Sequence, residues 1–286
     1  MQRTQSRRAM VVAALVGVGF VGGAMTQESD PVGIEVVPMS EVEWGALNPA
    51  RGENSPRAGG LWGDRTGDGA SGFLVKFVDG FASPPHIHNI TYRGVVISGL
   101  IHNDDPKAAN QWLPVGSFWV QPAGEAHITA AEGQFNMAYI EIEEGPYLVL
   151  PEAEAFDNGE RPINVDESNF VWLEATDITW IEGTSDEGGA QIAFLWGKTG
   201  AGELGGSLVK LPAGFAGRIV SRGDEFRAVV IQGEPSLGEK ALEPGSYFGS
   251  DGVRGDGPSE FRITGDPESE SMIYIRSAGG YELASD

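Results

Sequence analysis

Residues 80–99, GFASPPHIHNITYRGVVISG, hold two of the four histidines of this 286-residue chain. His86 and His88 lie one residue apart and precede a run of aromatic and β-branched residues that predicts a strand. Side chains at positions i and i+2 of a strand point to the same face, so both imidazoles are expected on one side. Imidazole nitrogens commonly bind divalent metals. The stretch therefore predicts two ligands of a metal site.

A second stretch, GSFWVQPAGEAH at residues 116–127, is another strand-like run and ends in His127. Three imidazoles that converge from two strands inside a barrel would form one side of a coordination sphere. They would leave positions open for water or substrate. The other interpretation is that the three histidines are hydrogen-bonded polar residues of a barrel that binds no metal.

The spacing in these two stretches resembles the two sequence motifs of the cupin superfamily. The fixed positions that match are Gly80, His86, His88 and Gly99 in the first motif, and Gly116, Pro122, Gly124 and His127 in the second. The second stretch looks most like the ChrR-type branch of the cupins. The resemblance implies a mononuclear divalent metal bound by the three histidines. It does not distinguish iron, manganese, nickel, copper and zinc.

Tyr92 stands where most metal-binding cupins have a glutamate ligand. A free phenol has a pKa near 10, so a phenolate ligand would need a strong Lewis acid beside it. The favoured interpretation is a pocket wall or a hydrogen-bond donor with a catalytic role. Three neutral imidazoles would leave the charge of a dication uncompensated, which favours an anionic substrate or product.

His102 follows the first motif in the sequence LIHNDDP, residues 100–106. It is a second catalytic candidate, as a gate of the pocket or as a proton shuttle. A plain residue of a surface loop is the favoured interpretation.

The chain also contains an internal repeat. Residues 74–99 align without a gap with residues 208–233, and eleven of the twenty-six positions are identical. Short strand-like runs separated by Gly, Pro and Asp occur in both copies, which is typical of all-β barrels. Together with the resemblance, the repeat predicts an all-β fold of two tandem jelly-roll cupin barrels, a bicupin.

The repeat also predicts the domain boundaries. We expect a first cupin domain at 33–150, a polar linker without strand pattern at 151–168, and a second cupin domain at 169–284. Trp62 of the first copy recurs as Trp196 of the second, which indicates packing rather than ligand binding.

The second copy lacks the histidines. Val220, Arg222 and Phe226 align with His86, His88 and Tyr92, and the last histidine of the chain is His127. The second domain is therefore expected to hold no equivalent metal and to act as a packing partner.

The N-terminus resembles an export signal. Residues 1–24 combine Arg3, Arg7 and Arg8 with a short, glycine-rich apolar run. The run is too short for a stable membrane anchor and predicts an exported protein, periplasmic or extracellular, by a twin-arginine or an ordinary secretory route. Removal of three arginines and no acids would change the net charge from −22 to −25.

Such an acidic surface repels nucleic acid and anionic membranes. The chain has no cysteine, so its stability cannot depend on disulfides. Cupins often dimerise by strand exchange, so the resemblance leaves a homodimer open.

Two functions fit these observations. The first is a metalloenzyme of dioxygenase, lyase or isomerase type that acts on a small, oxygenated organic molecule. The second is a non-catalytic module in which metal or ligand binding changes an interaction with another protein. The fold alone does not choose between them.

Overall fold

Antiparallel strands dominate the computed structural model, which describes residues 33–174, 177–178, 189–198, 203–251 and 258–286. The predicted export signal at 1–24 lies outside the described residues. Among the described residues there is no helix with the length and hydrophobicity needed to cross a membrane. The short 3-10 helices are Met39–Glu41, Pro49–Asn54, Glu152–Glu154 and Glu167–Asn169.

The strands of the first half alternate with glycine-containing turns, as the sequence pattern predicts. They are β1 (Ile34–Val37), β2 (Trp44–Ala46), β3 (Arg57–Gly63), β4 (Ser71–Phe77), β5 (Phe81–Ala82), β6 (His86–His88), β7 (Tyr92–Asp104), β8 (Phe118–Gln121), β9 (Ile128–Ile142), β10 (Val149–Pro151) and β11 (Ile163–Val165). One sheet has the order β11-β8-β7-β9-β4-β3-β2, with β5 also paired to β9, and β10 pairs with β6.

The second half repeats this plan. Its strands are β12 (Leu173–Glu174), β13 (Gln191–Gly197), β14 (Leu204–Leu211), β15 (Ala216–Ser221), β16 (Glu225–Gln232), β17 (Ser236–Leu237), β18 (Lys240–Ala241), β19 (Tyr247–Ser250), β20 (Ser259–Thr264), β21 (Ser271–Ala278) and β22 (Tyr281–Ser285). They form two sheets, β1-β19-β16-β21-β14-β13-β12 and β18-β17-β20-β15-β22. The predicted all-β fold with two tandem barrels is confirmed.

Two strands pair with the barrel that the repeat does not assign to them. β1 lies at the start of the expected first domain but pairs with β19 of the second barrel, with Ile34 opposite Ser250. β11 lies in the expected linker but pairs with β8 of the first barrel, with Ile163 opposite Val120. The boundaries 33–150 and 169–284 stay a prediction, and the linker at 151–168 contributes a strand that its polar sequence did not suggest.

The two barrels share an apolar cluster that contains residues of both copies. Trp62 Nε1 donates to the Tyr139 hydroxyl at 3.0 Å, and Trp196 Nε1 donates to the Tyr274 hydroxyl at 2.9 Å. The Arg93 guanidinium lies 3.6 Å from the Trp196 ring centroid, so it stacks across the boundary of the copies. The prediction that Trp62 and Trp196 are packing residues is confirmed.

Candidate metal centre

Three histidines meet in the first barrel. His86 and His88 lie on β6, and His127 lies just before β9. The backbones of His86 and His127 exchange two hydrogen bonds of 3.0 Å, which fixes the distance between the two motifs. One nitrogen of each imidazole lies within 4.8 Å of the corresponding nitrogens of the other two. In the described part of the chain, this is the group that could hold a metal ion.

Backbone carbonyls set the tautomer of all three imidazoles. Nδ1 of His86 donates to the Pro84 carbonyl at 2.9 Å, and Nδ1 of His88 donates to the Leu148 carbonyl at 2.8 Å. Nδ1 of His127 donates to the Glu125 carbonyl at 3.1 Å. A carbonyl can only accept, so each Nδ1 carries the proton and each Nε2 keeps its lone pair. This is the arrangement that supporting hydrogen bonds give to metal-bound histidines, and the cluster fits a divalent metal.

Burial keeps these imidazoles neutral. Desolvation lowers the pKa of His127 to about 3, and the neighbouring His86 adds to the shift. Burial also lowers the pKa of His88 well below its usual value, with further contributions from His127 and His86. The pKa of His86 is lowered as well, first by burial and then by the Arg51 guanidinium. At neutral pH the site therefore needs no proton release to bind a metal.

This gives an expected pH dependence of metal affinity. Three exposed imidazoles with a pKa near 6.5 would lose affinity about 1000-fold between pH 7.5 and 5.5, because protons compete for each nitrogen. Here the pKa values are lowered, so protonation starts at more acid pH and we expect a loss of less than about 10-fold. Cobalt(II) titrations of the metal-free protein at both pH values, followed by visible absorption, measure the change. A loss near 1000-fold would contradict the structure.

Tyr92 lies beside the cluster as a hydrogen-bond donor. Its hydroxyl donates to Asn103 Oδ1 at 2.9 Å and lies 3.3 Å from His127 Nε2. Burial raises the pKa of Tyr92, which opposes a phenolate ligand. The position supports the donor interpretation over metal ligation by a phenolate.

A chain of buried amides connects Tyr92 to the backbone of the second motif. Asn103 Nδ2 donates to Gln121 Oε1 at 2.9 Å, and Gln121 Nε2 donates to the Glu125 carbonyl at 3.2 Å. The same carbonyl accepts from His127 Nδ1, so this network orients a ligand and the neighbouring phenol together.

Tyr147 is a residue of the site that sequence reasoning missed. Its ring stacks on His88 at 4.3 Å between centroids, and its hydroxyl lies 3.2 Å from His88 Nε2. Asn89 holds this segment, since its amide donates to the Pro146 carbonyl and accepts from Leu148 N–H, both at 2.9 Å. Tyr147 belongs to no motif, and its distance from β6 in the chain gives no sequence signal.

His102 is not brought to the cluster. It lies within β7, where Asn103 faces the cavity, and adjacent residues of a strand point to opposite faces. Its buried ring lies against Trp112, and Nδ1 is 3.3 Å from the Gln111 carbonyl. This position does not support the predicted role as a gate or proton shuttle, and it also differs from the surface-loop interpretation.

Two of the three imidazoles, those of His86 and His88, line a cavity of about 110 Å³. Its walls are aromatic and aliphatic; they include Val75, Phe77, Phe81, Tyr92, Trp119, Ile140 and Tyr147. Polar atoms are contributed by Asn48, Ser83, Asn103 and Thr129, and a cation by Arg51. A mostly apolar cavity with a few convergent polar groups is typical of a small-molecule site.

The corresponding space of the second barrel is packed with side chains. Phe226, at the position of Tyr92, stacks on Phe261 with 4.7 Å between the ring centroids. Arg222, at the position of His88, donates to Glu282 at 2.8 Å. Both phenylalanines are fully buried in the core of that barrel. This packing supports the interpretation of the second barrel as a scaffold.

Solved structures with similar folds cover most of the chain. A Nostoc punctiforme protein described as a "putative dioxygenase" has a TM-score of 0.63 and 15% identity, and the match covers 88% of this chain and 85% of that one. Quercetin 2,3-dioxygenase of Acinetobacter baumannii has a TM-score of 0.54 and 14% identity, covering 87% and 80%. Hazelnut (Corylus avellana) vicilin has a TM-score of 0.54 and 11% identity, covering 87% of each chain.

At these low identities the similarity concerns the fold alone, and it agrees with the two-barrel fold that the cupin-like motifs predict. Among curated proteins, no sequence match to the chain is found. The sequence profile of one family matches residues 35–284, which is nearly all of both barrels. The chain, whose three-histidine cluster lies in the first barrel, therefore belongs to the family described as "Domain of unknown function (DUF4437)".

Proposed function

We propose that the chain is a metal-dependent enzyme of dioxygenase type that acts on a small, oxygenated organic molecule; lyase and isomerase chemistry belong to the same proposal. The observation that carries it is the set of three neutral imidazoles, each with Nε2 unprotonated, of which His86 and His88 line an apolar cavity. A closed structural metal site has four protein ligands, whereas three leave coordination positions free for a substrate.

In this proposal His86, His88 and His127 would hold the metal. A divalent metal there supplies Lewis-acid polarisation of a substrate oxygen and, if it is redox-active, activation of dioxygen. The aromatic and aliphatic walls would lower the polarity around the reacting atoms. The Tyr147 hydroxyl would donate a hydrogen bond to a substrate oxygen beside the imidazoles. The Tyr92 hydroxyl, whose proton goes to Asn103 Oδ1, would accept a hydrogen bond from a substrate hydroxyl.

Two of the structures with similar folds, from Nostoc and Acinetobacter, carry the description dioxygenase. This similarity supports the reaction class of the proposal.

The test is elemental analysis of the protein as purified, followed by oxygen-uptake and product assays with small enols and phenols. We expect about one redox-active metal per chain and oxygen consumption with at least one substrate, lost on chelation and restored by the same metal. Failure to bind a metal even after reconstitution would overturn the proposal. Tight zinc without turnover would instead favour the non-catalytic binding module.

A further inference from the structure

Arg51 lies at the cavity on a segment that is locally well held. It belongs to the 3-10 helix Pro49–Asn54, where Asn48 Oδ1 accepts from Ala50 N–H at 3.1 Å. The backbone N–H of Arg51 donates to the Asn48 carbonyl at 3.0 Å. The guanidinium carbon lies 5.3 Å from the centroid of the Phe81 ring, which is itself part of the cavity wall. The side chain is thus directed to the cavity by a cation–π contact.

The charge at this cavity is opposite to that of the whole protein. The chain carries 41 acidic against 19 basic residues, a net charge of −22. Among the described residues that line the cavity, Arg51 is the only one with a formal charge. Within the same described part, no carboxylate forms an ion pair with Arg51, so its donors are available to a ligand.

The cavity also limits the shape of that ligand. An engineered protein cavity of about 150 Å³ binds benzene, so a cavity of about 110 Å³ that opens to solvent accommodates a ligand of about the size of one ring. Walls formed by Phe77, Phe81 and Trp119 favour a flat, apolar body, because aromatic rings stack on such surfaces.

We propose that Arg51 is the specificity-determining residue of this cavity and binds the carboxylate of a small aromatic or unsaturated monocarboxylic acid. The planar guanidinium matches a carboxylate with two parallel hydrogen bonds. The ring of the acid lies between the aromatic walls, near the three histidines. This deepens the proposed function, on which it rests, by naming the substrate class of the same site.

The test compares two probes of similar shape, the anion benzoate and the neutral amide benzamide. Their binding to zinc-loaded protein is measured by ligand-observed NMR titration. Zinc is chosen because it is redox-inert, so no turnover occurs. The variants are Arg51→Gln, Arg51→Lys and, as matched control, Arg57→Gln. Arg57 is an exposed arginine outside the cavity lining that donates to the Trp44 carbonyl at 2.9 Å. The zinc content of each variant is measured separately.

We expect wild-type protein to bind benzoate more tightly than benzamide. Arg51→Gln should weaken benzoate binding about 10- to 100-fold and leave benzamide binding unchanged, because a charge-assisted pair is lost. Arg51→Lys keeps the positive charge but not the planar guanidinium, so its benzoate affinity should lie between those of the wild type and Arg51→Gln. The benzoate affinity of Arg57→Gln should match that of the wild type. Equal binding of benzoate by wild type and Arg51→Gln, or no preference for benzoate in the wild type, overturns the proposal.

Failure of the proposed function would look different. Protein that takes up no zinc or shows no turnover with any metal would fail the enzyme proposal. The dependence of benzoate binding on Arg51 is then measured on the metal-free protein and decides the second proposal independently.

Discussion

Replacing His86 by alanine is expected to lower the affinity of the protein for a divalent metal by about 100-fold or more. Even the partners that only support metal-bound histidines are worth about 10- to 100-fold in affinity, so loss of a ligand itself should exceed that range. His86 is the partly exposed member of the cluster, whereas His88 and His127 are fully buried. Its removal therefore leaves the core intact, and metal loss reports on ligation rather than on unfolding.

The control uses another histidine of the same barrel. His102→Gln changes a buried imidazole on the face of β7 that points away from the cavity. It should leave the metal affinity at the wild-type value. Isothermal titration with zinc, together with near-ultraviolet circular dichroism of each variant, separates the two effects. Unchanged zinc affinity in folded His86→Ala protein would contradict the three-histidine site. Reduced affinity in His102→Gln would restore a role for His102 that its position does not support.

Replacing Arg276 by methionine is expected to lower the free energy of unfolding by about 3–5 kcal/mol, the usual cost of leaving one partner of a buried ion pair unpaired. Arg276 Nη1 lies 3.6 Å from Glu141 Oε1, and Arg276 Nε donates to Glu225 at 2.6 Å. The side chains of Arg276 and Glu141 are 3% and 1% exposed. The pair joins the two barrels, since Glu141 is on β9 and Arg276 on β21.

The pKa shifts of Arg276 and Glu141 indicate that each side chain stabilises the charged form of the other. Burial alone would lower the pKa of Arg276, but the carboxylates of Glu141 and Glu225 raise it. Burial raises the pKa of Glu141, against the opposing effects of Arg276 and Arg93. Removing the Arg276 guanidinium therefore leaves a buried carboxylate with the more distant Arg93, 3.9 Å away, and two tyrosine hydroxyls.

Urea unfolding of Arg276→Met, Glu141→Gln and the double variant forms a double-mutant cycle. The double variant should regain part of the stability that Arg276→Met loses, because residue 141 no longer carries an unpaired, fully buried charge. Losses that simply add would show that the two side chains are energetically independent, in conflict with their contact across the barrels.

The three-histidine cluster was predictable because its members follow the fixed spacing of two local motifs. His86 and His88 share a strand face, and the glycines and proline of the second motif place His127 at a strand start. Tyr147 and Arg51 reach the same space from segments outside both motifs, held by Asn89 and Asn48, and no spacing in the sequence connects them to it. Long-range packing alone brings these residues together.

The position of His102 shows a second reason why the sequence did not predict every residue of the site. Its sequence context predicted a loop, but β7 continues to Asp104. One residue of register decides whether a side chain faces the cavity or the opposite side, and Asn103 takes the inner position. Similarly, the repeat identified equivalent strands correctly but carries no information on which copy a flanking strand will join.

The pairing of β1 with the second barrel and of β11 with the first has a consequence for expressing either copy as a separate fragment. Neither half of the sequence completes its own sheets. The edge of β19 is covered by β1, from the start of the first copy, and the edge of β8 is covered by β11, which follows the first copy. A fragment cut at the repeat boundary would present an unpaired strand to solvent, which invites aggregation. We therefore expect the interlocked pair of barrels to be the smallest product that folds independently, and a truncation series should express both copies together.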